Sequence, residues 1–481
     1  MASVQPTERL RWRVLYREAE LYKAAVRLYT KPLFDWRKAT CCSADGKTLY
    51  DFARHGLKNL HAVHRALASE RFRFRPGLAA RRNFNGKRRT LFIFPWEERL
   101  VSLLLYRLLN RALDPAFSRS SYAYRWCGFG VDRCQREIIR AIRTLDKPIF
   151  VMTRDISNFF DSIDHDILLG KLAQIVEPSD YLFRLLADCV RFRYVDEGEE
   201  ATALRGVPFG TAIACLFANV YLMELDRRLE MLPGLRFFRY ADDLLVLSSS
   251  AEAVGEAGCI FQREMAALKL ASKSSRHRDF ALVGAERSGP CRSEPAIPAC
   301  SRFRHLGLEF RADGSVGLSR DKFRKICNLF RYAFRRHRRR FRRTRDPEKR
   351  ARLAVQIARR TAERGVRNVA IIDYYLKHVT DESQLRRLDR WLAEEVLSLA
   401  FGGGHKKGYF RRLPFGKLRE MGLPSLVHRR RLILHGHVDS PFFVWRARQI
   451  QRGYRGKAAR PVAPEATAFS QGPEAAADAT S

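Results

Sequence analysis

The chain has 481 residues, 46% of them apolar and 30% charged, which suits a folded protein of two to four domains with a large core. Lys and Arg total 90 against 52 Asp and Glu, a formal net charge of +38. Such an excess repels itself in a compact fold unless a polyanion offsets it, and Arg, whose planar fork suits phosphate, outnumbers Lys. A long nucleic acid is the expected partner; a merely basic, ribosome-associated protein is the bland alternative. No apolar run approaches the roughly 18 residues of a membrane span. The opening residues lack the apolar core of a secretory signal, so a cytoplasmic, bacterial protein with no membrane partner is expected. The ten cysteines contain no Cys-x-x-Cys pair, which disfavours a zinc ribbon or redox motif and reads as reduced thiols.

In chain order, residues 8–30 and 49–69 have the apolar spacing of two helices, giving an N-terminal helical extension over 1–70. Asn85-Gly86 between two short strands predicts a hairpin, with Arg81, Arg82, Lys87, Arg88 and Arg89 around its tip. A basic tip of this kind either grips a triphosphate or lies solvated. Residues 96–117 predict an amphipathic helix stopped at Asp114-Pro115. The loop Ser121-Tyr122-Ala123-Tyr124-Arg125 precedes a helix over 131–145, and residues 148–155 predict a buried strand ending in Asp155. The adjacent Phe159 and Phe160 must pack near that acid, Asp164 suits an N-cap, and helical segments fill 164–193. Gly206-Val207-Pro208-Phe209-Gly210-Thr211 reads as a sharp loop before a helix over 212–231.

Residues 238–247 then predict a hairpin that presents Asp242 and Asp243 at its turn. Alone, adjacent acids at a turn are ordinary solvated turn chemistry; on a rigid hairpin they form half of a divalent-metal site whose other half lies elsewhere in the chain. A helix over 252–268 leads to Lys273, residues 276–300 form an insertion without a predicted element, and 303–310 predict a short hairpin at Leu306-Gly307. From 319 the pattern is helical and basic, peaking at Arg335, Arg336, Arg338, Arg339, Arg340, Arg342 and Arg343. Helices are expected at 347–364, 367–379 and 382–400, then a cationic loop with Lys406 and Lys407, and a helical block to about 452. The remainder, 453–481, is rich in Ala and Pro and predicts a disordered tail.

The order of these pieces, from the Asp155 strand through the glycine loop, the Tyr-Ala-Asp-Asp hairpin, the lysine and Leu-Gly, resembles a bacterial reverse transcriptase of the group II intron, retron and defence-associated kind. The resemblance covers roughly 60–310; RRTLFIFPWEERLV looks like the family's fingers segment and SYAYR like its S-Y-G-F-R. It implies an α+β right-hand polymerase with fingers over 71–147, a palm with an antiparallel sheet over 148–318, and a helical, RNA-binding thumb over 319–452. By the same resemblance Asp155, Asp242 and Asp243, with Ile156 beside them, would hold two Mg²⁺ ions about 3.5 to 4 Å apart, Mn²⁺ being a substitute. Lys273 would protonate pyrophosphate, unless it is an ordinary surface lysine. Arg81, Lys87, Arg88, Arg89, Phe209 and Gly210 would contact the dNTP, and Phe160 would block a ribose 2′-hydroxyl. Tyr240, Arg125, Leu306 and Gly307 would lie along primer and template. One departure stands out: Phe209 occupies a position where many relatives carry glutamine, which puts fidelity and template choice in doubt.

The resemblance implies an RNA-directed DNA polymerase, and its defence-associated branch leads to the expectation that it copies a dedicated structured noncoding RNA into cDNA in antiphage defence. An RNA-dependent RNA polymerase, a maturase-like RNA-binding protein with a vestigial polymerase, and a nuclease-free group II intron protein are the rivals. The helical surfaces admit a homo-oligomer, although no heptad seam commits to one.

Overall fold

The computed structural model describes residues 9–436 other than 31, 33–34, 85–86, 127, 285–296 and 365–370. Among them the β-branched and aromatic runs become twelve strands. In chain order these are β1 (Gly77–Phe84), β2 (Lys87–Ile93), β3 (Ile149–Asp155), β4 (Arg193–Asp196), β5 (Glu199–Thr202) and β6 (Leu235–Tyr240). They continue with β7 (Asp243–Ser248), β8 (Arg278–Leu282), β9 (Ala299–Cys300), β10 (Arg302–His305), β11 (Leu308–Arg311) and β12 (Val316–Leu318).

The central sheet has the order β6-β7-β3-β8-β9, with β3 antiparallel to both of its neighbours. Its strands are apolar on both faces because it separates two cores. Side chains alternate across a strand, so Phe150 and Met152 of β3 and Leu244 and Val246 of β7 enter one core, while Ile149, Val151, Leu245 and Leu247 enter the other. The first core is closed by helices Trp96–Leu113, His165–Ile175, Tyr181–Val190, Ala212–Tyr221 and Ala251–Ala267, through residues such as Leu104, Leu172, Phe217 and Phe261. Helix Val131–Thr144, the three-stranded sheet β10-β11-β12 and the C-terminal helices close the second, through Ile138, Phe310, Phe330 and Leu388. Each such side chain contributes about 1.5 to 3 kcal/mol of burial, so the two cores lock the end of β3 from both sides.

A second sheet, β2-β1-β4-β5, pairs β1 with β2 over seven positions from Leu78↔Ile93 to Phe84↔Lys87. The Asn85-Gly86 turn itself lies outside the described residues. The hairpin β4–β5 has no counterpart in the sequence expectation. Its strands are four residues long and carry Glu199 and Glu200, but Glu197 and Gly198 both have positive φ, the backbone a two-residue hairpin turn needs. The expected insertion at 276–300 contributes β8 and β9 to the central sheet.

Three expected helices are interrupted. The first is split into Trp12–Leu15 and Glu18–Thr30 because Tyr16 turns extended, the second is broken at His55, and the third is broken at Leu222. Thr48 and Asp51 form a reciprocal capping box at the start of Leu49–Arg54, and Asp164 caps His165–Ile175 through the amides of Asp166 and Ile167. After β12 come helices Arg320–Arg336, Arg338–Arg343, Pro347–Arg364, Ile371–Leu376, Glu382–Phe401 and Leu426–Leu434. Of the expected helix over 367–379, residues 367–370 fall outside the described residues, as do the end of the last helical block and the 453–481 tail. No helix among the described residues is long and apolar enough to cross a membrane.

His305 on β10 is buried in the second core, and its Nε2 has no hydrogen-bond partner among the described groups. Burial pushes its pKa down to about 4, below the unfolded value near 6.5. Between these values the unfolded chain binds the extra proton, so stability falls as pH drops from about 6.5 toward 4, on the order of 2 to 3 kcal/mol in all. Urea titrations of the wild type and of His305→Leu across this window should show the acid-dependent loss in the wild type and its removal in the variant.

Candidate active site

Three acids meet at one end of the central sheet. β3 ends in Asp155, which is 3% exposed. The β6–β7 register pairs Tyr240 with Asp243, leaving Ala241-Asp242 as a two-residue turn. Ala241 has φ +58, the left-handed value that the first central residue of such a turn requires and that glycine usually supplies. The turn therefore holds local strain, on the order of 1 to 3 kcal/mol for a side-chain-bearing residue. The β3–β7 register sets Asp155 directly opposite Asp243, and the Ile156 amide donates to the Asp242 carbonyl at 3.3 Å. The Asp242 carboxyl is pushed above the usual carboxylate range, chiefly by burial and further by the charge of Asp155; Lys273 and Arg89 oppose the shift.

The segment around Lys273 docks alongside. Ser157 N–H donates to Ala271 O at 2.7 Å and Lys273 N–H to Asp155 O at 2.9 Å. The Lys273 ammonium donates to Asp155 Oδ1 at 3.0 Å and lies 3.5 Å from the Ile156 carbonyl. A cation thus already sits against the Asp155 carboxylate and the Ile156 main chain. Carboxylates and a carbonyl are the hard oxygen donors that Mg²⁺ prefers, so the donor set fits that ion. Among the described residues no three His, Cys, Asp or Glu side chains are grouped closely enough to hold a metal ion by themselves.

What holds the turn is a residue that sequence reasoning passed over. Arg239 is fully buried; its guanidinium donates to both Asp226 oxygens, to Asn219 Oδ1 at 3.3 Å, to Ser121 Oγ at 2.8 Å and to the Ala241 carbonyl at 3.2 Å. Its main chain pairs with the preceding loop, Arg239 N–H to Ser120 O and Tyr122 N–H to Arg239 O. Burial pushes the Asp226 carboxyl up, and the guanidinium opposes that push. Period-two alternation was the available signal, since it places Arg239 on the same inward face as Phe237 and such a charge demands an acid.

The remaining expected residues are distributed as follows. Phe159 is core and Phe160 is half-buried, its ring 5.2 Å from that of Phe209. On β2, Arg88 and Arg89 are exposed, and the guanidinium of Arg89 sits 5.5 Å over the Phe209 ring. Arg82 stands directly across the hairpin from Arg89, so like charges face each other where an anion would relieve them. Arg81 instead reaches the β4–β5 turn, at 2.7 Å from Asp196 and 2.8 Å from Glu197. The Lys87 side chain lies outside the described residues. Gly210 has φ +105, the left-handed region that favours glycine.

Arg125 is engaged inside the protein. Its side chain is 3% exposed and is held by Asp114 Oδ1, by the carbonyls of Asp114, Ser118 and Ser121, and by the Phe129 ring, so it pins a loop. Tyr240 is half-buried beside the second core. Leu306 and Gly307 both have positive φ and form the β10–β11 turn, which is tied to Gln135 and Ser319. Tyr124, which was not singled out, lies against Phe160 with φ +60, its carbonyl held by Tyr106 and Asn110. Arg335, Arg336, Arg338, Arg339, Arg340, Arg342, Arg343, Lys406 and Lys407 are all exposed and lie outside this cluster.

Comparison with known proteins places this geometry in a class. Residues 95–309 match the family described as reverse transcriptase (RNA-dependent DNA polymerase), a span that holds Asp155, Asp242, Asp243 and Lys273. The match takes in less than half of the chain. An uncharacterized 91 kDa protein in the cob intron of Schizosaccharomyces pombe is 30% identical over 177 residues, which is 36% of this chain and 21% of that protein. The group II intron-encoded protein LtrA of Lactococcus lactis is 25% identical over 145 residues, 29% of this chain and 23% of that protein. The chain thus spans less than a quarter of the length of these two relatives. Among solved structures, apo telomerase from Candida tropicalis is 10% identical with a TM-score of 0.44, covering 80% of this chain and 68% of that one.

Removing one member of the buried pair beneath the turn leaves the other charge uncompensated. Arg239→Met should cost about 3 to 5 kcal/mol in urea unfolding, and Arg239→Met combined with Asp226→Leu should recover most of it.

Proposed function

We propose that this chain is an RNA-directed DNA polymerase that extends a primer 3′-hydroxyl with deoxynucleotides. The observation that carries this is the convergence of Asp155, Asp242 and Asp243 at one end of the central sheet, within the segment that matches the reverse transcriptase family and with a cation already against Asp155. In the reading we favour, Asp155, Asp242 and the Ile156 carbonyl would hold divalent ions with Asp243 beside them, and the ions would supply positive charge to the reacting phosphate oxygens. The chain's own residues do the rest. β3 and the Ala241 turn fix the carboxylates, Lys273 neutralises them between turnovers and offers a proton to the leaving group, and Arg89 meets the triphosphate. Phe160 meets the sugar and favours deoxynucleotides. Phosphoryl transfer asks little covalent work of a protein, so this positioning and charge neutralisation account for catalysis.

The template in this reading is a structured RNA, gripped through its backbone by the exposed arginines of helices Arg320–Arg336 and Arg338–Arg343 and by Lys406 and Lys407. We favour a dedicated noncoding RNA copied to cDNA in antiphage defence, a reading supported by the Phe209 departure and the arginine density. A second reading, an intron-linked enzyme acting on its own intron RNA, is favoured by the intron proteins among its relatives. Sequencing the RNA and cDNA that copurify with the protein separates the two.

Primer extension on an RNA template should proceed with dNTPs, and Asp242→Asn with Asp243→Asn should reduce it by three or more orders of magnitude while thermal unfolding shows a folded protein. Incorporation of NTPs alone would overturn the assignment. Replacing Arg338, Arg339, Arg342 and Arg343 by Gln should flatten the slope of log affinity for RNA against log salt by roughly 0.7 to 0.9 for each phosphate no longer neutralised, with little change in synthesis on a short exogenous template.

A further inference from the structure

The loop Gly206–Thr211 joins the β1–β2 hairpin to the end of β3, and its ring-bearing residue, Phe209, touches elements on both sides. Phe92 N–H donates to Phe209 O at 3.3 Å, tying the loop to β2. On the other side Val207 N–H donates to Phe160 O at 2.8 Å and Gly206 N–H to Ile163 O at 2.7 Å. His165 Nε2 lies 2.6 Å from the Gly206 carbonyl, which it meets as a donor. Gly206 has φ +79, and a Cβ there would stand 3.0 Å from the Asp161 main chain, so only glycine lets the loop approach this closely.

The side chains continue this clamp. Phe160 has aromatic rings on three sides: Phe159 at 5.7 Å, Phe209 at 5.2 Å and Tyr124 at 6.2 Å, all tilted or edge-on. Phe159 is core, and Tyr124 is fixed by the two hydrogen bonds to its carbonyl. Phe209 is half-buried, as are Phe160 and Tyr124, and the Arg89 guanidinium rests 5.5 Å over its ring. A phenylalanine left open on one of these sides regains rotamer freedom at χ1 toward it and can swing away from a bulkier sugar; a ring closed on all three cannot.

We propose that Phe209 is a positioning residue for sugar selection: it wedges Phe160 against Tyr124 and seats Arg89, so that the group meeting the triphosphate and the group meeting the sugar are coupled through one ring. The proposal rests on the reading of Phe160 as the residue that meets the sugar. A flexible polar side chain at 209 supplies neither wedge nor seat. Loss of the ring therefore does two separable things: it lets Phe160 yield to a 2′-hydroxyl, and it frees Arg89 from its resting place.

The test is single-nucleotide extension of a DNA primer on an RNA template by the full chain, with kcat and KM for dATP and for ATP. Phe209→Gln and Phe209→Leu should each lower the dATP-to-ATP ratio of kcat/KM by about tenfold or more, through a gain with ATP, and raise KM for dATP. Phe209→Tyr, which keeps a ring, should retain the ratio. Equal loss of kcat for both nucleotides in the Gln and Leu variants, with the ratio unchanged, would mean a purely structural role and overturn the proposal. Phe160→Ala separates the two layers. If it collapses the ratio while Phe209→Gln and Phe209→Leu do not, the coupling through Phe209 is wrong and the role of Phe160 stands. If Phe160→Ala also leaves the ratio intact, the reading of Phe160 falls and the proposal with it.

Discussion

The buried pair of Arg239 and Asp226 is the constraint from which the site takes its shape. A guanidinium without solvent exposure must have all its donors met or the fold loses several kcal/mol. Here meeting them ties together four parts of the chain: the helix that carries Asp226, the helix that carries Asn219, the loop at Ser121 and the carbonyl of Ala241. The last of these sits in the turn whose next residue is Asp242. A strained turn persists only where the surroundings over-determine it, and Arg239 supplies that surplus from beneath.

Above the turn the electrostatics have the opposite sign. Burial and the Asp155 charge together push the Asp242 carboxyl up, and a backbone hydrogen bond, the Lys273 ammonium on Asp155 and Arg89 oppose that push. A site that gathers acids in a half-buried place, braced from below by one cation and met from the side by another, keeps carboxylates where burial disfavours their charge. The two cores on either side of β3 keep the acids from relaxing apart, because β3 and β7 are packed on both faces.

The β1–β2 hairpin shows the same logic in aromatic form. Arg82 and Arg89 oppose each other across β1 and β2, and Arg89 leans on Phe209. Like charges paired across a hairpin are unfavourable alone and useful beside an anion. Arg125 shows the contrary case: its donors are satisfied internally, so the same residue type becomes a fastener for the loop that also carries Tyr124.

Much of this was legible in the sequence wherever a local rule decides the outcome. The strand ending at Asp155, the hairpin at Asp242, the cap at Asp164 and the helix Pro347–Arg364 follow from alternation, turn chemistry and periodicity, which need no distant partner. The order of motifs was likewise visible as a resemblance. The sequence could not show what depends on packing between segments remote in the chain. The β4–β5 hairpin is held by pairing with β1, β8 and β9 find their sheet across an insertion, and breaks at Tyr16, His55 and Leu222 answer to packing. Whether an arginine is a fastener or a ligand is decided in the same way. Arg125, Arg239 and Arg89 are alike in sequence, and only the acids, carbonyls and rings that folding brings to each of them separate a buried clamp from an exposed group.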